Sequence, residues 1–104
     1  MIVTTTQSVP GREIAQVLGI TRGGTTRSRN VVQDMFAGVK NLVGGEMSQY
    51  TKLQADIREQ ALQRMVDDAT RMGADAIVGV RFEAESLTQG ALGASAYGTA
   101  VKLQ

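Results

Sequence analysis

The feature that most constrains this chain is one long amphipathic stretch from about Glu46 to Met72. Tyr50, Leu53, Ile57, Ala61, Met65 and Met72 recur at helical spacing as an apolar stripe, flanked by Met47, Leu62, Val66 and Ala69. Lys52, Asp56, Glu59, Gln63 and Asp67 occupy the other side, and Gly73 supplies a stop signal. The pairs Lys52–Asp56 and Asp67–Arg71 sit four apart, a spacing that supports a helix by ~0.2–0.5 kcal/mol each. A helix of that length spans about 40 Å. A compact domain of about 100 residues has a radius of gyration near 13 Å. Such a helix crosses the whole domain and is long enough to reach a neighbouring subunit.

The rest of the chain has β character around this rod. "IVTTTQ" at the start is β-branched, and Pro10-Gly11 closes it with a turn. A strand is expected across about Ile14–Thr26, with Val17, Gly19 and Thr21 opposite Leu18, Ile20 and Arg22. Gly23-Gly24 marks a bend or bulge there, or a close approach by another chain or a ligand. Asn30 with Gln33 reads as a capping box, and Val32, Met35, Phe36, Val39, Leu42 and Val43 form one face of a shorter helix ending at Gly44-Gly45. After Gly73 comes a strand over about Ala76–Glu85. "SLTQGALGASA" at 86–96 reads as a mobile loop, and "YGTAVKLQ" closes as a strand with Tyr97, Thr99, Val101 and Leu103 on one side. The expected architecture is one α+β domain over residues 1–104, in the order β-β-α-α-β-β, its small sheet packed on the long helix plus the shorter one.

Strand 76–85 carries charge at alternate positions. Simple alternation puts Ala76, Val78, Val80, Phe82 and Ala84 toward the helices, with Ile77, Gly79, Arg81, Glu83 and Glu85 on the other face. That outer face meets water or a neighbouring subunit. Only four aromatics are present, so the core is light and association is one remedy.

Composition removes several chemistries. With no cysteine and no histidine there are no disulfides, no thiol nucleophile, no Ser-His-Asp relay and no thiolate or imidazole for zinc. Glu83 and Glu85, with Asp75 or Glu46, could hold a hard cation through oxygen ligands. "GGTTRSR" at 23–29 lacks the Gly-Lys-Ser/Thr ending of a phosphate loop. Arg22, Arg27 and Arg29 have no interleaved aromatic for base stacking, so nucleic acid is not the expected partner. Glu46 complements the dipole at the start of the long helix. Acids and bases are present, but no spacing pairs them uniquely as a catalytic dyad, and an enzyme is not expected. A net charge of +1, no signal-peptide pattern and no long apolar run make a cytoplasmic protein without a membrane partner the default expectation.

The segments "TTT…VPG", "GITRGGTT", "GGEMSQYTKL", "REQALQRM", "MGADAIVGVRFE" and "AYGTAVKL" together resemble the YbjQ-like family of small uncharacterised bacterial proteins, over nearly the whole chain. The resemblance is most specific at Gly44-Gly45-Glu46 with Tyr50, at Gly73–Ala76 and at Tyr97–Ala100. It implies a dodecin-like α+β fold whose subunits self-associate into a homo-oligomeric, pentameric ring, and it carries a heavy-metal-binding label. The expected function is that of a ring protein with a small ligand or ion bound at subunit boundaries. Glu46, Tyr50, Arg58, Arg81, Tyr97 and Thr99 are the ligand or interface candidates. The alternative is a hard-cation binder using Asp75, Glu83 and Glu85. No cofactor is assigned.

Overall fold

The structure, a computed structural model, describes residues 1–27, 45–88 and 91–104, with side chains over 1–26, 51–84 and 92–104. Four strands and one helix lie in these segments. They are β1 (Ile2–Val3), β2 (Ile14–Arg27), α1 (Gly45–Arg71), β3 (Ala76–Thr88) and β4 (Ala91–Leu103). The shorter helix expected at 30–43 falls outside the described residues. The sheet order is β1-β3-β4-β2, with β1 parallel to β3 and the remaining pairs antiparallel. The fold is α+β, and β4 runs between the two strands that flank the helix in sequence. The molecule measures 54 × 23 × 18 Å with a radius of gyration of 16.8 Å, elongated because α1 and three long strands run side by side.

Helix α1 packs on one face of the sheet only. Leu53, Ile57, Ala61, Met65 and Ala69 are its buried line, meeting Ile77, Val80, Ala94, Ala96 and Ala100. Each step of four residues overshoots a full turn by about 40°. The buried line therefore winds around the helix, as contact with a twisted sheet requires. The end of α1 is a Schellman motif: Ala74 N–H donates to Ala69 O (3.0 Å), Gly73 N–H donates to Thr70 O (3.0 Å), and Gly73 takes φ +83°. Of the two ion pairs expected along the helix, neither forms. Asp67 instead accepts from Gln63 Nε2 (3.0 Å), and the one ion pair among the described residues is Arg71–Asp68 at 3.5 Å.

Gly23 explains how closely helix and sheet approach. A Cβ there would press into the backbone N of Met65, the backbone O of Ala61 and Cβ of Arg64. The close approach read from Gly23-Gly24 is real, and the approaching backbone is the chain's own helix. The bulges of β2 lie elsewhere, between Ile14 and Gln16 and between Val17 and Gly19.

Two expectations for the second half of the chain fail. Residues 86–96 are not a loop: β3 runs on to Thr88 and β4 begins at Ala91. Small residues are needed there because a helix lies against them, and Ala94 and Ala96 are both buried in the helix-facing core. The simple alternation along β3 also fails. Ile77 faces α1, whereas Ala76 and Val78 join Val101 and Leu103 in a second cluster under Val9 and Ile14. A bulge between Val78 and Arg81, with Gly79 at φ +64°, adds one residue and resets the parity. Beyond it the expected faces hold: Val80 packs on α1 and Phe82 borders it.

Candidate functional site

The face of the sheet away from α1 is largely uncovered. The N-terminal segment shields one end of it. Gly11 at φ +81° and Arg12 N–H bonded to Val9 O (3.1 Å) make the Pro10-Gly11 turn, which folds Val9 and Ile14 over Ala76, Val78, Val101 and Leu103. Beyond that lid Ile20 is 75% exposed, Val17 63% and Tyr97 38%. These are large side chains on a flat surface, and no second layer covers them among the described residues. The bulge between Val17 and Gly19 brings Val17 onto this face with Ile20, so the assignment of Val17 beside Gly19 and Thr21 is corrected.

Three of the ligand candidates meet here. In β4, Ala94, Ala96 and Ala100 point to α1, so Tyr97 and Thr99 point away from it. Arg81 lies opposite Tyr97 in the β3–β4 register, and the Tyr97 hydroxyl is 3.5 Å from Glu83 Oε1. Arg81 Nη1 donates to Thr5 O (3.2 Å) and to Val80 O (2.8 Å), which ties its guanidinium to the N-terminal segment. Arg81 and Thr99 border one cleft of about 390 Å³ with Gln7, Ile14, Val17, Val78, Gly79 and Val101.

Arg58 is elsewhere. It lies with Ala55, Glu59 and Leu62 of α1 along a groove edged by Phe82, across the sheet from Tyr97 and Thr99. Within one chain, Arg58 therefore serves the opposite face of the sheet from Tyr97 and Thr99. Glu46 and Tyr50 fall in the first two turns of α1, with side chains outside those described.

Of the carboxylates proposed for a cation, the two described ones, Asp75 and Glu83, stand apart. Asp75 Oδ2 accepts the Leu103 N–H (2.9 Å) while its own N–H bonds Val101 O (2.9 Å), a clamp that holds the end of β4 to the turn after α1. Glu83 sits by Tyr97, and the Glu85 side chain is outside those described. Among the described residues no three acids cluster as metal ligands. Arg22 is exposed on β2, but Arg27 and Arg29 are not described at side-chain level.

Sequence inspection missed the role of Thr21, which is fully buried. Its hydroxyl lies 3.0 Å from both the Met65 carbonyl oxygen and Asp68 Oδ2, sharing one proton between them. Arg22 N–H donates to the same Asp68 oxygen (3.3 Å). That hydroxyl, the Arg22 N–H and the charge of Arg71 hold Asp68 below the ordinary carboxylate value, against a smaller upward push from burial. A lone threonine in a "GITRGG" run carries no signal for this contact.

Among the described residues, one helix on one face of a mixed four-stranded sheet defines a small α+β module. The chain belongs to the YbjQ family, whose description reads "Putative heavy-metal-binding" and which matches residues 1–104. It is 48% identical to a UPF0145 protein of Archaeoglobus fulgidus, covering 100% of this chain and 96% of that one. It is 47% identical to a UPF0145 protein of Vibrio campbellii, covering 99% of each. Relatives thus occur in archaea as well as bacteria, wider than the bacterial family the sequence resembled. A crystal structure of a protein of unknown function from Pediococcus pentosaceus, of the DUF74 family, shares the fold with a TM-score of 0.66 at 18% identity, over 100% of this chain and 98% of that one. The family description does not fit the donors present, because soft metals select thiolate and imidazole and this chain has neither.

Proposed function

We propose that this protein is the subunit of a homo-oligomeric ring, assembled through its open sheet face and free strand edges, with a small ligand bound where that face is covered. The observation that carries it is the exposure of Ile20 at 75% and Val17 at 63% on the sheet face away from α1, with no second layer over them among the described residues. Exposed apolar patches of this kind mark interaction surfaces.

The strand edges support the same reading. β2 is an edge strand along all of Ile14–Arg27, while β1 pairs with β3 only at Ala76 and Ile77. Thr4 and Thr6 extend that cover as far as Gly79 and Val80, and beyond Val80 no further strand lies along β3 among the described residues. Two different free edges on one protomer can pair head to tail, which closes rings when the rotation permits. Five subunits is the number the family resemblance implies. The proposed role is binding and assembly, with no catalytic step.

Native mass spectrometry and light scattering test it. A stable multiple of 11.1 kDa is expected at micromolar concentration. Ile20→Glu should dissociate the assembly while leaving the far-UV circular dichroism of the subunit intact. An 11.1 kDa monomer of the unmodified chain would remove the proposal.

A further inference from the structure

We infer that the cleft between the N-terminal segment and the open sheet face is a binding site for a free organic monocarboxylate with an apolar body. This deepens the ligand part of the proposed function and does not depend on the assembly.

The cleft owes its shape to the Gly79 bulge. By adding a residue, the bulge puts Val78 and Arg81 on the same face with a gap between them, and a Cβ on Gly79 would meet nothing within 4 Å. Val78 and Val101 form an apolar floor, with Thr99 beside Val78 in the register. Ile14 and Val17 stand on one side, Gln7 and Arg81 on the other. At about 390 Å³ the space is within the usual range for small-molecule sites, which are mostly apolar with a few polar groups that fix orientation.

Charge decides the ligand class. Among the described residues Arg81 is the one ionisable group bordering this cleft. Its Nη1 is held by the carbonyls of Thr5 and Val80, which fixes the guanidinium without neutralising it. Among the described residues no carboxylate lies within 4.0 Å of it. Glu83, next along the same face, is turned to the Tyr97 hydroxyl. Nε and Nη2 thus keep their donors in a planar fork matched to a carboxylate, and the Thr99 hydroxyl and Gln7 amide add neutral polar contacts.

The other clefts lack this combination. The groove by Phe82 is bordered by both Arg58 and Glu59, so it has no net preference for an anion. The depression lined by Gly24, Thr26, Ser95 and Glu83 has its one cation, Arg64, bonded to the Gly24 carbonyl (2.5 Å). The buried Thr25, whose hydroxyl has no hydrogen-bond partner among the described residues, lines the same depression, which Glu83 and Arg64 border with opposite charges.

The test uses the full chain, with phenylacetate and its neutral isostere phenylacetamide as probes, followed by ¹H–¹⁵N NMR. Phenylacetate is expected to saturate and to shift the amides of Val78, Arg81 and Thr99. It should bind at least ten-fold more tightly than the amide. Arg81→Gln should bring the acid down to the amide's affinity, and Arg81→Lys should keep part of the preference. Equal affinity for acid and amide in the unmodified chain, or shifts confined to another face, would overturn the assignment. So would the absence of saturable binding, as with an incidental surface contact. Light scattering on the same samples separates the two ideas. Acid-selective binding by a monomer leaves the site and removes the ring, whereas an intact assembly without binding removes only the site.

Discussion

The buried hydroxyl of Thr21, on the second strand, lies 3.0 Å from Oδ2 of Asp68, in the last turn of the helix. With the Met65 carbonyl at the same distance, this contact pins α1 to β2 by polar groups at the edge of the apolar core. Thr21→Val keeps the shape and removes the donor, leaving the Asp68 oxygen with the Arg22 N–H alone. A loss of about 1 kcal/mol in urea denaturation at neutral pH is expected.

The same contact sets an acid limb of stability. Asp68 has a folded pKa below its unfolded one, so it lends stability above the unfolded value of about 3.9, lost as pH falls through the lowered folded value. Asp68→Asn should therefore lower stability at pH 7 and flatten the decline below about pH 4. An acid limb of unchanged steepness would show that other carboxylates cause it.

Gly23 and Gly24 are neighbours with opposite tolerances. Gly23→Ala drives a methyl group into the backbone of Met65 and Ala61, neither of which can move without shifting the helix. A cost of about 1–3 kcal/mol or more is expected. At Gly24 the nearest atom to an added Cβ is Ala94 O at 3.8 Å, ordinary contact, so Gly24→Ala should be near neutral. Paired thermal melts of the two variants check this, and equal effects would contradict the close helix–strand approach.

Gly79→Ala tests the bulge by a different mechanism. The new methyl group meets no atom within 4 Å, so any cost comes from the backbone at φ +64°. About 1 kcal/mol of destabilisation is expected from that conformation. No effect in chemical denaturation would mean that β3 runs without the bulge and that Val78 and Arg81 do not share a face.

Thiophilic metals should leave the protein unmoved. With neither cysteine nor histidine to supply thiolate or imidazole, micromolar Zn²⁺ or Cd²⁺ is expected to leave the melting temperature unchanged, and chelation likewise. A saturable rise at stoichiometric metal would restore the heavy-metal reading and require a carboxylate cluster involving residues such as Glu46 or Glu85.

What could be read from the chain depended on how local the cause was. The stripe Leu53, Ile57, Ala61, Met65 was legible because a helix repeats every 3.6 residues whatever it packs against, and Gly73 was legible because few other residues accept φ +83°. Tyr97, Thr99, Val101 and Leu103 were placed on one face correctly because β4 keeps its two-residue period through them. Ile77, Val78 and Val17 were misplaced because bulges shift that period, and a bulge at Gly79 looks in sequence like any strand glycine. The stretch 86–96 was misread because glycine and alanine are weak strand formers in isolation. Only the nearness of α1 makes their small size an advantage.

Among the candidate residues, Arg81 and Thr99 border one cleft while Arg58 lies across the sheet, because strand parity, not sequence distance, decides which side of the sheet a residue serves. By itself the sequence determined the helix, its stop, the α+β class and the absence of thiolate and imidazole metal donors, since each follows from residue identity or local periodicity. The tertiary structure alone decided which face α1 covers, that Gly23 receives the helix backbone, and that Arg81 stands free beside an apolar floor. Those outcomes depend on residues far apart in the chain meeting in a twisted sheet, where one added residue in a strand exchanges inside for outside.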